Sequence, residues 1–220
     1  KILKDARNVK IITEYFRDLG FEFLFATFTA PNCSQQELKE EITAYNKSLE
    51  RMFKRQKYNF IKGYIRKLEI TYNNDSSSKS YGTFHPHFHV LIAIDKSYFG
   101  RKYVSKQEWL VDWQKAMRDS SITQIDIKKV SLDSLKNNID KSILELTKYI
   151  TKDFDFYSEI DVFESFYKGT KGKQMFAFSG IFRDAKKKLK NKELEKYVDS
   201  KKEIEWFYLF TQIYNQDKYI

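Results

Sequence analysis

Cysteine occurs once in this chain, as Cys33, which excludes an intramolecular disulfide framework and any cysteine-rich zinc site. A reducing cytoplasm fits that usage. No uninterrupted apolar stretch of about 18 residues is present, and no succession of basic, apolar and small segments marks a signal peptide. The expectation is a soluble cytoplasmic protein with no membrane partner. Glycine and proline are also scarce, 7 and 2 in 220 residues, and neither an internal repeat nor a clear domain linker interrupts the sequence. Acidic residues are outnumbered: 40 Lys and Arg against 30 Asp and Glu leave a net charge of +10. That balance favours a polyanionic partner, because neutralising phosphates releases counterions, so nucleic acid leads and an inert basic surface is the bland alternative.

What is abundant is aromatic and apolar. With 19 Phe, 15 Tyr and 41% apolar residues, the chain can bury a core of its own and reads as α+β with long polar helices. Residues 1–180 are expected to form the main domain, and 181–220 a basic and aromatic helical extension of it. Helical spacing runs from Asp5 to Leu19 and stops at Gly20. A strand is predicted over Phe21 to Thr29. Ser34 and Glu37 then read as a capping box opening a helix that reaches Gln56. Tyr64 to Tyr72 reads as a strand ending in the polar loop Asn73 to Ser78. Ser105 to Met117 reads as a helix with Trp109 and Trp113 as core anchors, and Gln124 to Val130 as another strand. Further helices are predicted over Leu135 to Lys152 and Arg183 to Val198, with an apolar stretch at Met175 to Gly180 between them.

Histidine is rare as well, and its distribution is uneven. All three lie in His85-Pro86-His87-Phe88-His89, within the run Thr83 to Ile92. On a strand, alternation sends the histidines to one face and Phe84, Pro86, Phe88, Val90 and Ile92 to the other. The preceding strand is joined to this one by a loop and no crossover helix, so the two are expected to pair antiparallel, with Glu69 facing His87 or His89. Histidines at i and i+2 have Cα atoms about 6.6 Å apart, near enough to share a cation, whereas i and i+4 lie about 13 Å apart. Two of the three can therefore hold a metal, with Glu69 the best-placed third ligand. Such a mixed donor set with open positions suits a cation that polarises a phosphate oxygen, Mn²⁺ or Mg²⁺, and Zn²⁺ could bind. The same histidine spacing also fits a histidine-triad nucleotide hydrolase, in which a histidine is the nucleophile and no metal acts. A histidine strand without metal is the third reading.

A second segment separates these readings. Ile139, Ile143, Leu146 and Ile150 repeat at helical intervals and form a buried stripe, which leaves Glu145, Lys148, Tyr149 and Lys152 on a different face. A tyrosine ordinarily titrates near pH 10 and is a poor nucleophile, yet neighbouring lysines and a metal-polarised phosphate would make attack on phosphorus feasible.

The order Phe25-Ala26-Thr27-Phe28-Thr29, then His85-Pro86-His87-Phe88-His89-Val90-Leu91, then Glu145-Leu146-Thr147-Lys148-Tyr149 resembles the three motifs of plasmid rolling-circle replication initiators. These are members of the HUH endonuclease superfamily, in which U is a bulky apolar residue. The resemblance covers roughly Phe21 to Phe154. It implies a ferredoxin-like or RRM-like antiparallel sheet with the histidine strand central and helices packed on it. It also implies His87 and His89 as the metal pair, and Tyr149 as the nucleophile that cleaves one origin strand and keeps a 5′-phosphotyrosine link. In the Glu-x-x-x-Tyr subgroup, Glu145 would activate water for the terminating cleavage. His85 is a further candidate for metal contact, and Lys148 and Lys152 for contact with the scissile phosphate. The expected partners are single-stranded or hairpin origin DNA, a host helicase and the replication machinery, with a homodimer allowed. Within the superfamily the rivals are a transposase and a relaxase, and chain order argues against the relaxase. A non-enzymatic DNA-binding module with a structural metal is the alternative from another class. The stretch Arg183 to Lys202, nine basic against four acidic residues, is a candidate phosphate-tracking surface.

Overall fold

Helical spacing near the N-terminus forms α1 (Ile2–Asp18), which stops where Gly20 takes a φ of 84°, a left-handed conformation that glycine adopts without strain. The computed structural model describes residues 2–130, 143, 146 and 160–198. After α1 come β1 (Glu22–Thr29), α2 (Leu38–Phe53), β2 (Ile61–Tyr72), β3 (Phe84–Ile94), α3 (Lys106–Met117) and β4 (Ile125–Lys129). Next along the described chain lie α4 (Ile160–Thr170), β5 (Phe176–Gly180) and α5 (Ile181–Lys190). The five strands make one antiparallel sheet in the order β4-β1-β3-β2-β5, so the class is α+β and the histidine strand is central. Among the described residues, no helix is long and apolar enough to cross a membrane.

Strand alternation divides the core in two. Leu24, Ala26 and Phe28 of β1, Leu68 and Ile70 of β2, and Phe84, Phe88, Val90 and Ile92 of β3 face a layer built by α2 and α3, to which α4 adds Val162. Trp109 and Trp113 are fully buried there, as their spacing predicts, and the Trp113 indole N–H donates to the Thr29 carbonyl at 2.7 Å. The opposite face carries Phe23, Phe25, Ile65, Leu91 and Ala93 under α1, α5, Ile143 and Leu146. Among the described residues, that second layer packs on the C-terminal half of β3; His85 and His87, nearer its start, are half-buried. The histidines project from that same face.

A proline in a central strand needs explaining, since it has no N–H to donate. The β1–β3 ladder ends at Thr29 opposite His87 and resumes only as a single bridge between Cys33 and Phe84, so Pro86 lies in the gap. Its carbonyl is taken by the buried Tyr45 hydroxyl of α2, which donates to it at 2.7 Å. The same tyrosine ring packs edge-on against Phe88 and Trp113. Helix α2 thereby fixes the back of the histidine strand.

Several boundaries differ from expectation. Helix α2 begins at Leu38, and the Ser34–Glu37 pair is only half a capping box: the Glu37 carboxylate accepts from the Ser34 amide and hydroxyl, while no side chain caps the helix. The lysine-rich helix ends at Lys190, where Lys192 takes a φ of 64° and turns the chain. Its start is also earlier, directly from β5, because Gly180 sits against β2. A Cβ there would lie 2.2 Å from the Lys62 carbonyl oxygen. Helix α4 had no counterpart in the sequence reading. The predicted helix 135–152 lies outside the described residues except for Ile143 and Leu146, which are helical and buried.

Tyr45→Phe is expected to lower stability by about 1–2 kcal/mol by leaving the Pro86 carbonyl without its donor, with the fold unchanged. Urea denaturation checks it.

Candidate metal centre

Three strands bring the site together. Antiparallel pairing sets Glu69 of β2 opposite His87 of β3, Lys67 opposite His89, and Thr27 of β1 opposite His89 from the other side. All of these side chains rise from the same sheet face, because each belongs to the alternate set that also includes Phe25 and Leu91. His89 Nε2 lies 2.8 Å from Glu69 Oε2, and His87 Nε2 lies 3.6 Å from the same oxygen. The imidazoles are 4.9 Å apart centre to centre and nearly perpendicular.

The far nitrogens are held from behind. Thr27 Oγ1 lies 3.2 Å from His89 Nδ1, and the His85 carbonyl oxygen lies 3.4 Å from His87 Nδ1. Phe25 stacks on the His89 ring at 5.9 Å between centroids. With a cation bound, rings that keep their proton on Nδ1, facing these oxygens, would present a bare Nε2 lone pair to it, the arrangement that orients metal-binding histidines; without one, the His89 Nε2–H donates to Glu69. Burial alone would push the Glu69 carboxyl up. The contacts from His87 and His89, with the Lys67 charge beside them, outweigh that and hold it well below the ordinary carboxylate range. Glu69 is therefore an anion at neutral pH.

The donor set fits a divalent cation. One carboxylate oxygen and two imidazole nitrogens lie within 4.8 Å of one another, and the Glu69 side chain is 21% exposed, so the group opens to solvent on one side. Imidazole plus carboxylate with remaining positions open suits Mn²⁺, Mg²⁺ or Zn²⁺ acting on a substrate oxygen. His85 lies outside this group. Its ring is 5.4 Å from that of His87, and burial, with the neighbouring His87, pushes its pKa down.

Of the residues singled out in the sequence, Glu69, His87 and His89 come together; Glu145, Lys148, Tyr149 and Lys152 lie outside the described residues. Two contacts go beyond the sequence. The place of Lys67 is legible in it, since Lys67 precedes Glu69 by two residues on the same strand face. Thr27 lies in the first motif, but its contact with His89 depends on which strand β1 pairs with and in what register.

A family model for replication proteins matches residues 2–213. The chain belongs to the replication protein family. Among relatives of this chain, "Protein rep" of Staphylococcus aureus is 42% identical over 160 residues, 71% of this chain and 66% of that protein. "Protein rep" of Bacillus sp is 33% identical over 161 residues, 67% of this chain and 51% of its own length. The namesake in Streptococcus pneumoniae serotype 2 is 32% identical over 179 residues, 79% and 53% respectively. The chain thus spans about half to two-thirds of the length of these relatives. No solved structure matches it.

Alanine in place of His87, His89 or Glu69 is expected to weaken Mn²⁺ binding about 100-fold or more, Thr27→Val about tenfold, and His85→Ala less than about threefold. Isothermal titration of chelator-stripped protein measures all five.

Proposed function

We propose that this replication protein is a plasmid initiator that nicks and rejoins one strand of origin DNA through a 5′-phosphotyrosine intermediate. The observation that carries the reading is the convergence of His87, His89 and Glu69 at one carboxylate oxygen, open to solvent, in a chain of the replication protein family. A second observation supports it. Ile143 and Leu146 are buried in the core that holds Leu91 and Ala93, on the sheet face from which the histidines rise. In sequence they bracket Glu145, and Leu146 precedes Tyr149 by three residues.

A bound Mn²⁺ or Mg²⁺ would polarise a non-bridging oxygen of the scissile phosphate and offset the charge that develops on it. His87, His89 and Glu69 hold that cation, while Thr27 and the His85 carbonyl keep the imidazoles aimed. Tyr149 is the nucleophile: its phenolic oxygen bonds to phosphorus, the bond from phosphorus to the 3′ oxygen breaks, and the proton is balanced at the released 3′-OH, which primes synthesis. Because the tyrosyl phosphodiester conserves the energy of the broken one, the step can be reversed by a returning 3′-OH. Glu145 serves as the base that activates water at termination. Lys148 and Lys152 contact the scissile phosphate. The substrate is single-stranded or hairpin origin DNA, and a helicase and replication machinery of the host cytoplasm are the partners; a homodimer is compatible with the reading. Part of the 183–202 stretch follows the DNA backbone.

Incubating the protein with origin-derived single-stranded oligonucleotides and Mn²⁺ should yield a covalent adduct that peptide mapping places on Tyr149. Tyr149→Phe is expected to reduce the adduct by about 10³-fold or more. An undiminished adduct in that variant overturns the nucleophile. Chelation should stop adduct formation while the protein still melts cooperatively. Unfolding on chelation would instead mark a structural metal in a DNA-binding module.

A further inference from the structure

Glu69 Oε2 has a third neighbour that the histidines do not account for. Lys67 brings its Nζ to 3.5 Å from this oxygen, and its side chain is only 7% exposed. It is walled in by position, paired with His89 on one side and Phe176 of β5 on the other. A buried ammonium is tolerated beside a counter-charge, and Glu69 supplies one. The carboxylate oxygen that would ligate a dication is therefore also the one facing an internal cation.

We propose that Lys67 is a built-in competitor for Glu69, which holds divalent-metal affinity low until a phosphodiester enters and so couples metal binding to DNA binding. This rests on the reading of Glu69, His87 and His89 as metal ligands. Like charges a few ångströms apart in a half-buried site repel strongly, so a dication on Glu69 is destabilised by the ammonium beside it. A phosphodiester anion placed against both cations reverses the sign: it attracts the metal and offsets the ammonium charge of Lys67. By linkage, DNA then tightens metal binding and metal tightens DNA binding by the same factor. The charge of the ammonium, not its bulk, performs this task. Methionine fills similar space on the same strand and lacks the charge, and arginine keeps it.

The test is Mn²⁺ titration, by calorimetry or electron spin resonance, of chelator-stripped protein with and without the dinucleotide TpT, which carries one phosphodiester. Lys67→Met is expected to bind Mn²⁺ about tenfold or more tightly than the natural protein when no TpT is present, while Lys67→Arg stays within about threefold. TpT should tighten Mn²⁺ binding to the natural protein several-fold, and to Lys67→Met much less. Equal or weaker Mn²⁺ binding by Lys67→Met overturns the proposal. Should that variant fail to fold, the natural protein decides: no effect of TpT on Mn²⁺ affinity overturns it too. Failure of the natural protein to bind Mn²⁺ at all would instead remove the metal reading on which this one rests.

Discussion

The register of β2 on β3 is the constraint on which the site depends. Glu69 stands opposite His87, and from there its Oε2 reaches both His87 and His89. Side chains alternate along a strand, so a slip of one residue would send Glu69 into the core and replace it with Leu68 or Ile70. That core enforces the register. Leu68 and Ile70 are at most 1% exposed among Phe84, Phe88 and the aromatic residues of α2 and α3, and a slip would expose them while burying a carboxylate. Hydrophobic packing on one face thus fixes polar geometry on the other.

The two helical layers divide the work. The layer of α2 and α3 closes one face, and the hydroxyl of Tyr45 passes through it to hold the strand at the one position where proline leaves the ladder incomplete. Among the described residues, the layer of α1 and α5 covers part of the other face, where Phe16 and Phe182 pack with Phe23 of β1 in the cluster that holds Leu91 and Ala93. Where that layer stops, the sheet carries charge instead of apolar side chains: Lys67, Glu69 and the histidines. A site built on paired strands holds its donors more rigidly than one built on loops, which suits a candidate metal centre.

Much of this was legible in the sequence, for identifiable reasons. The histidines' common face follows from period-two alternation, and the nearness of Glu69 follows from a loop too short for a crossover helix. The burial of Trp109 and Trp113 follows from their spacing. The α2 start differs from expectation because Ser34 and Glu37 carry the residue types of a capping box, yet their hydrogen bonds close a turn that precedes the helix. The lysine-rich helix is shorter than its composition suggests, because that composition stays helix-favouring through Lys196 and nothing local announces the left-handed Lys192. Helix α4 hid because Ile160, Phe163 and Tyr167 are exposed while Val162 and Gly169 are buried, so apolar type does not mark the buried side. Thr27 shows the general limit: strand order decides its neighbours, and no periodicity encodes strand order.

The proposed function turns on one centre, in which His87, His89 and Glu69 would hold a cation that aims a DNA phosphate at Tyr149. Anomalous diffraction at the manganese edge, from crystals of the protein grown with Mn²⁺ and a single-stranded origin oligonucleotide, tests it most directly. The account predicts one peak about 2.1 Å from His87 Nε2, His89 Nε2 and a Glu69 oxygen, with a backbone phosphate on its open side and the Tyr149 hydroxyl in line with that phosphorus. A manganese held by His85 without His89, or a phosphate on the metal with Tyr149 turned away from it, would contradict the account.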